Sequence, residues 1–414
     1  MKKYRKLLAL GLSAMLTLTT AGCASQTADT DAEGASVTTE AATTSSETHK
    51  IGVMVYSLDD SEVNMFRTYY RDYLGEAFDT EFVYSEAIST IDDEKAFVDQ
   101  CKEQGCEGMI AFMTNDLQTL VDYCGEDFYL ALANMTPEQA DFDAVKDKKQ
   151  FLGVISAGDE EEYKAGASVV EDLTEENIDT SKEWLLFTGG ASMDNYMHEQ
   201  RLQGMLDTLV EAGYTLTSTI DELKSTMEPV QAAESDQGGK IYVCPGYPDA
   251  FPENITKALE MSQPDYIGAV CTIEDVLDEI LAKEKAMDKD VRIGVVDCFS
   301  EANAEAYAEK DGYGNSSINC VIGKCQAMGA PSFVAVYNAI TGYEDAMRDN
   351  GSAYWLQQYF WDADSEEDYQ EMMTKANNIY TNLYATEDLM AVLGVYTENV
   401  SFADFESFVD QINQ

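Results

Sequence analysis

The sequence predicts an α/β fold of two similar lobes, each a mainly parallel sheet covered by helices. Three observations carry that expectation. Short apolar runs alternate with longer helical stretches from Lys50 onward, the pattern restarts near residue 158, and polar residues recur just after the apolar runs. At 414 residues the chain exceeds one typical domain, and 45% hydrophobic with 10% aromatic residues is ample for folded cores.

Residues 1–22 read as an export signal. "MKKYRK" is a basic start, and "LLALGLSAMLTLTTAG" is a short apolar run that ends in small residues before Cys23. Ala21-Gly22-Cys23 resembles a bacterial lipoprotein box, with Thr20 where Leu is usual, and that implies lipidation of Cys23. The alternative is an ordinary signal peptide cleaved nearby. Residues 23–49 then form a tether: "ASQTADTDAEGASVTTEAATTSSETH" has no aromatic residue and too little apolar surface to fold.

From Lys50 the elements follow in order. "KIGVMVYS" is a strand. "VNMFRTYYRDYLGEAF" is a helix with Phe66, Tyr69, Tyr70, Tyr73 and Leu74 on one face. "TEFVYSEA", "CEGMIAFMTND", "FYLALANM" and "FLGVISAGD" are strands, with helices in "DDEKAFVDQCKEQG" and "LQTLVDYCGED". The second series runs through "EWLLFTGGAS", "GGKIYVCPGY", "PDYIGAVCT" and "VRIGVVDCFS" as strands, with "EEYKAGASVVEDL", "HEQRLQGMLDTLVEAG", "DAFPENITKALEMS" and "IEDVLDEILAKEKAM" as helices. The tail from about Tyr354 is rich in aromatics and acids and has no clear placement.

The charge narrows the function. With 77 acids against 26 bases the net charge is −51, which repels phosphate backbones and argues against nucleic acid as a partner. Enzyme motifs are scarce. His49 lies in the tether segment, so His198 is left to serve any triad, and "GGASMD" around Ser192 is not a GxSxG elbow. No GxxxxGK[ST] or GxGxxG follows a strand. "DADSEED", residues 362–368, starts like a calcium loop but has Glu367 where the turn needs Gly and Met373 at the twelfth position. Eight cysteines beyond Cys23 are scattered without a CxxC pair, which fits thiols better than a zinc site and leaves disulfides open.

Polar groups placed just after strands remain as the site signal. Ser57, Asp59 and Asp60 follow the first strand, Asn134 ends "FYLALAN", Asp159 ends "FLGVISAGD", Thr272 ends "PDYIGAVCT", and Asp297 ends "VRIGVVD". In parallel sheets such positions face the crevice where ligands bind. Turn and helix-cap chemistry favours the same residue types and stays open for each one.

In these features residues 50 to about 345 resemble a type I periplasmic binding protein, the ribose/galactose-binding family that also forms the ligand core of lac-repressor-type regulators. The matching stretches are "KIGVMVYSL", "WLLFTGGASMDNYMHEQRLQGML" with Arg201, Gly204 and Met205 at the family's helix start, "PDYIGAVCTIEDV", "VRIGVVD" and "CQAMGAPSFVAVYNAITG". The resemblance implies two Rossmann-like lobes with parallel sheets joined by a hinge. It assigns residues 50–157 plus about 324–352 to the first lobe and 158–323 plus about 353–414 to the second.

Site roles follow from the resemblance position by position. Arg201 would hydrogen-bond sugar oxygens, Asp297 would accept from hydroxyls, and Thr272 stands at the usual asparagine. Asn134 and Asn195 match polar contacts, and Tyr56 or Phe66 would supply an aromatic wall. The sequence departs from the family at Val296, Met135 and Gly323, the last beside Lys324, and "GGKIYVCPGYPDAF" is an extra element whose Tyr242 and Tyr247 are either replacement stacking rings or core. The implied function is a lipid-anchored, monomeric, cofactor-free binding protein that delivers a small polar ligand, most simply a sugar, to an ABC transporter permease. The alternatives are a sensory receptor serving a chemoreceptor or kinase, and, from another class, a secreted hydrolase using His198.

Overall fold

The computed structural model describes residues 48–189, 195–246, 251–377 and 383–413. Cys23, Ser192 and Tyr247 lie outside the described residues. The first series is β1 (His49–Met54), α1 (Ser61–Tyr69), β2 (Thr80–Tyr84), α2 (Ile91–Glu103), β3 (Gly108–Ala111), α3 (Leu117–Cys124), β4 (Tyr129–Ala133), α4 (Gln139–Val145) and β5 (Phe151–Ser156). The second is α5 (Gly158–Thr174), β6 (Glu183–Thr188), α6 (Tyr196–Ala212), β7 (Tyr214–Leu216), α7 (Ile220–Lys224), β8 (Val230–Ser235), β9 (Lys240–Pro245), α8 (Phe251–Met261), β10 (Tyr266–Ala269), α9 (Leu277–Met287), β11 (Arg292–Cys298), α10 (Glu301–Ala308) and β12 (Cys320–Lys324). The chain ends with α11 (Ala330–Ile340), β13 (Tyr354–Gln357), β14 (Trp361–Ala363), α12 (Glu366–Asn377), α13 (Thr386–Val392) and α14 (Phe402–Val409).

The first sheet has the order β13-β5-β4-β3-β1-β2, with every pairing parallel. The second has the order β14-β12-β11-β10-β6-β9-β8-β7. Its central strands β9-β6-β10-β11-β12 repeat the order β2-β1-β3-β4-β5, which is the physical content of the restart seen in the sequence. Both sheets reverse strand order between their first and third strands, the place where doubly wound sheets bind ligands. The expectation that "GGKIYVCPGYPDAF" is an extra element is corrected: its strand is β9, which pairs in parallel with β6 as β2 does with β1. The added element is β7 and β8, an antiparallel extension of β9. Tyr242 is buried there as core.

His49 belongs to the fold and not to the tether. It pairs with Thr80, and its ring meets Tyr337 edge-on at 5.2 Å. The backbone ladder of β1 therefore begins two residues before the apolar run "IGVM" does. The placement of 353–414 in the second lobe is also corrected. Tyr354–Gln357 pairs in parallel with β5 of the first sheet, while Trp361–Ala363 runs antiparallel to β12 of the second. The aromatics of the tail explain the split. Tyr354, Tyr384, Phe405 and Phe408 are buried, with Tyr354 against Phe405 at 5.2 Å and Tyr384 against Phe408 at 4.3 Å. The Tyr73 hydroxyl donates to the Tyr384 carbonyl at 2.7 Å and ties this part of the tail to the first lobe.

Three crossovers join the lobes: after β5, after β12 and between β13 and β14. The first and third are bonded to each other, since the Gln358 N–H donates to the Ser156 carbonyl at 3.0 Å and the Gln357 amide to the Ala157 carbonyl at 2.7 Å. Gly158 follows at a φ of 77°, left-handed backbone that glycine adopts without a steric cost.

In the second lobe α5 and α6 approach until side chains must vanish between them. A Cβ on Gly204 would stand 2.0 Å from the Tyr163 carbonyl oxygen, and one on Gly166 would stand 1.9 Å from that of Arg201. The Gly204→Ala variant is accordingly expected to lose at least about 1–3 kcal/mol of stability through overpacking. An unchanged urea midpoint would show that the helices part freely.

Candidate functional site

The loop after β1 and the first turn of α1 supply the first lobe's groups. Asp60 caps α1, accepting from the Val63 N–H at 3.1 Å and from the Tyr56 hydroxyl at 3.1 Å. Tyr56 keeps 36% of its surface exposed, so its ring is free to meet a ligand. One residue past Ser61, Glu62 accepts from the Lys324 ammonium at 3.0 and 3.2 Å. Lys324 ends β12 and is 6% exposed, so this ion pair crosses from one lobe to the other in a largely buried place.

The second lobe's carboxylates meet that pair. Asp297 lies beside Gly323 in the β11–β12 register and accepts from the Asn303 amide at 2.6 Å. Burial pushes its carboxyl up to about 7, the Asn303 bond opposes the rise, and the charges of Glu274, Glu62 and Asp60 add to it. The Thr272 hydroxyl accepts from the Glu274 N–H at 3.3 Å. Burial raises Glu274 as well, the hydroxyls of Ser61 and Thr272 bond it in opposition, and Asp60 pushes it up. Asp60, Glu62, Glu274 and Asp297 therefore sense one another across the lobes. Gly323, where the family resemblance leads one to look for a glutamine, has no room for a side chain: a Cβ would fall 1.8 Å from the Asp297 carbonyl oxygen.

Arg201 is placed differently from the expectation of a guanidinium open to sugar. It is 4% exposed, its Nε–H donates to Glu162 at 2.5 Å, and its Nη1 donates to the Val270 carbonyl at 2.7 Å. The Phe360 ring lies 5.7 Å from its Cζ. Burial works against the charge, yet Glu162 holds the guanidinium above its ordinary value, and Glu62 is within electrostatic reach. The closeness of α5 and α6 makes this pair possible. Arg201 thus braces the floor of the cleft with two of its donor groups.

The aromatic wall expected at Phe66 gives way, and Asn195 takes a second role. Phe66 is 1% exposed and packs against Phe112 at 5.0 Å, because the helical spacing it shares with Tyr69 and Tyr70 turns it to the core and away from the crevice. Asn195 is the N-cap of α6, its Oδ1 accepting from Met197 at 3.0 Å and His198 at 3.4 Å, so the cap occupies its oxygen and leaves its Nδ2 donors as the group it could offer a ligand. His198 is buried one turn before Arg201. Burial, then Arg201 and Lys324, hold its imidazole well below the usual range and therefore neutral. Its Nδ1 has no partner among the described residues.

Asn134 directly follows β4 at a φ of 57°, an uncommon conformation for a side-chain-bearing residue. It is 7% exposed, and its Nδ2 donor has no partner among the described residues. A buried donor left unpaired costs stability, so strain and an open hydrogen bond coincide at a strand's carboxyl end.

Sequence reasoning missed Glu62, Glu162, Glu274 and the full role of Lys324. Among so many acids no single Glu stands out, and only Lys324, a cation beside an expected ligand position, offered a signal. Among the described residues the carboxylates grouped closely enough to share a metal ion are Glu284, Asp290 and Asp311. They are engaged elsewhere: Glu284 accepts from the Val291 N–H at 3.1 Å, Asp290 from Asn315 at 2.9 Å, and Asp311 from the Tyr313 N–H at 2.7 Å.

No protein-family model matches the sequence, and no curated protein matches it. Solved structures do match the fold. An ABC transporter solute-binding protein from Bacillus halodurans C-125 with bound myo-inositol is 14% identical with a TM-score of 0.54, covering 80% of this chain and 99% of its own. The binding component of an arabinose ABC transporter from Shewanella sp. ANA-3, bound to L-arabinofuranose, is 11% identical with a TM-score of 0.55, covering 79% and 95%. A periplasmic solute-binding protein from Actinobacillus succinogenes 130z with bound D-allose is 11% identical with a TM-score of 0.55, covering 78% and 99%. At these identities the shared property is the fold: two lobes with mainly parallel sheets, as in type I periplasmic binding proteins.

Proposed function

We propose that this chain is an exported solute-binding protein that captures a small polar ligand, a sugar or polyol, between its lobes and hands it to an ABC importer. One observation carries the reading. Hydroxyl and carboxylate groups from both lobes lie within reach of one another at the carboxyl ends of the strands, where the strand orders reverse. The fold's neighbours carry inositol, allose and arabinofuranose in their structures. Asp60, Thr272 and Asp297 offer acceptors to ligand hydroxyls, Asn134 offers an unpaired donor, and Tyr56 offers a ring for an apolar sugar face. Arg201 holds Glu162 and the end of β10 in place beneath them. No covalent step is involved, and a ligand that leaves these buried groups unpaired is rejected.

The same reading takes Cys23 as the lipid anchor, residues 24–47 as the tether and the mature protein as a monomer outside the cell membrane. No described helix is long and apolar enough to cross a membrane. The test is a thermal-shift screen of pentoses, hexoses, inositols, amino acids and nucleosides. A ligand at a hundred times its dissociation constant stabilises by ~2.7 kcal/mol. A response to amino acids or nucleosides alone would overturn the sugar assignment.

The Asn134→Gly variant separates binding from folding. Glycine accepts the positive φ at no steric cost, so the melting temperature of the free protein is expected to hold. Loss of one hydrogen-bond donor weakens the ligand several-fold, up to about tenfold. Unchanged affinity by calorimetry would remove Asn134 from the site.

A further inference from the structure

Cys101 and Cys106 stand at the end of α2, just before β3 begins in the middle of the first sheet. That is the amino end of the parallel strands, opposite the cleft. The helix closes there with a Schellman motif. The Cys106 N–H donates to the Cys101 carbonyl at 2.8 Å, and the Gly105 N–H to that of Lys102 at 3.1 Å, with Gly105 at a φ of 83°. In this motif the side chains at the positions of Cys101 and Cys106 normally make an apolar contact across the helix end. Here both are thiols, and they are hydrogen-bonded to each other. Cys101 is fully buried, whereas Cys106 is 5% exposed and lines a surface cavity of about 420 Å³ with Lys102, Cys124 and Phe128.

We propose that Cys101 and Cys106 are a modification site, joined by a disulfide when the exported protein meets a disulfide-bearing oxidant. The less buried partner is Cys106, which borders the surface cavity. The hydrogen bond from Cys101 lowers its thiol below the ordinary value, burial opposes this, and Lys50 assists. Its thiolate attacks one sulfur of the oxidant, forming a mixed disulfide and releasing one oxidant thiolate. The hydrogen bond to Cys106 and then burial hold the Cys101 thiol protonated, and the first of these is lost once Cys106 is in the mixed disulfide. Cys101 then gives up its proton to solvent, attacks the Cys106 sulfur and expels the second oxidant thiolate. Two protons leave the protein thiols, and two electrons reduce the oxidant disulfide to two thiols. The link would clamp the end of α2 to the start of β3 without touching the cleft, so it is independent of what the cleft binds.

The experiment treats the full chain with oxidised glutathione, quenches it with N-ethylmaleimide and maps the peptides by mass spectrometry. Trypsin cuts at Lys102 between the two cysteines, and chymotrypsin at Phe112 separates Cys106 from Cys124. The expected result is a linked pair of peptides carrying Cys101 and Cys106, retained in Cys124→Ser and absent from Cys106→Ser. Ligand affinity is expected to be the same in oxidised and reduced protein. The proposal is overturned if both thiols still take up the maleimide after oxidation and unfolding, or if the link joins Cys106 to Cys124. The wild-type map alone decides, so a variant that fails to fold leaves the answer intact.

Discussion

Arg201→Ala is expected to lose about 3–5 kcal/mol of folding stability, because it leaves Glu162 buried without its cation. Glu162 is 1% exposed and Arg201 4%, so water does not replace the missing partner. The resemblance by itself would lead one to expect a variant that folds normally and fails only to bind. The structure reverses that order of effects. Replacing both partners, as in Arg201→Met with Glu162→Leu, is expected to recover most of the loss, since a buried ion pair and a packed apolar pair are often close in stability. Urea denaturation of the two variants settles the matter. A single variant as stable as wild type would mean that the pair carries little, and that the guanidinium is available to a ligand after all.

Asp297→Asn is expected to weaken the ligand roughly tenfold to a hundredfold, the range for losing a charged hydrogen bond. It is also expected to stabilise the free protein at neutral and alkaline pH. The Asp297 carboxyl sits at about 7 in the folded protein against 3.8 ordinarily. Between those values the folded state holds a proton that the unfolded chain has released. Its contribution therefore costs stability progressively as pH rises from about 4 to about 7, by up to about 1.4 kcal/mol per unit, and levels off beyond. Asparagine keeps a carbonyl oxygen for the Asn303 amide and has no proton to lose. The variant should match wild type near pH 4 and melt higher at pH 8. An identical pH profile in both proteins would place the titration elsewhere, and unchanged affinity would take Asp297 out of the ligand site.

Much of the site was legible because it depends on local position. Asp60, Asn134, Thr272 and Asp297 read as polar residues near strand ends. The structure puts Asn134 just after β4, Asp297 near the end of β11, Thr272 shortly after β10 and Asp60 at the cap of α1. Phe66 departs from the expectation because a helix's core face uses the same residue types as a binding wall. The tail was opaque for a different reason. Tyr354, Tyr384 and Phe405 are aromatic wherever they pack, and nothing local says which lobe receives them. The strands of the second lobe's antiparallel edge, Tyr214–Leu216 and Val230–Ser235, are too short and too polar to announce themselves.

The sequence by itself determined the alternation of strands and helices, the repeat of one lobe by the other and the strand ends that form the cleft. These follow from burial periods of a few residues, which the chain carries wherever it goes. Only the tertiary structure decided which charges meet. Arg201 and Glu162 are 39 residues apart in the chain, and Lys324 and Glu62 are 262 apart. An ion pair needs atoms within a few ångströms, and among 77 acids the sequence names no partner. The close approach of two helices at Gly166 and Gly204, and the crossing of β12 toward α1, made the choice.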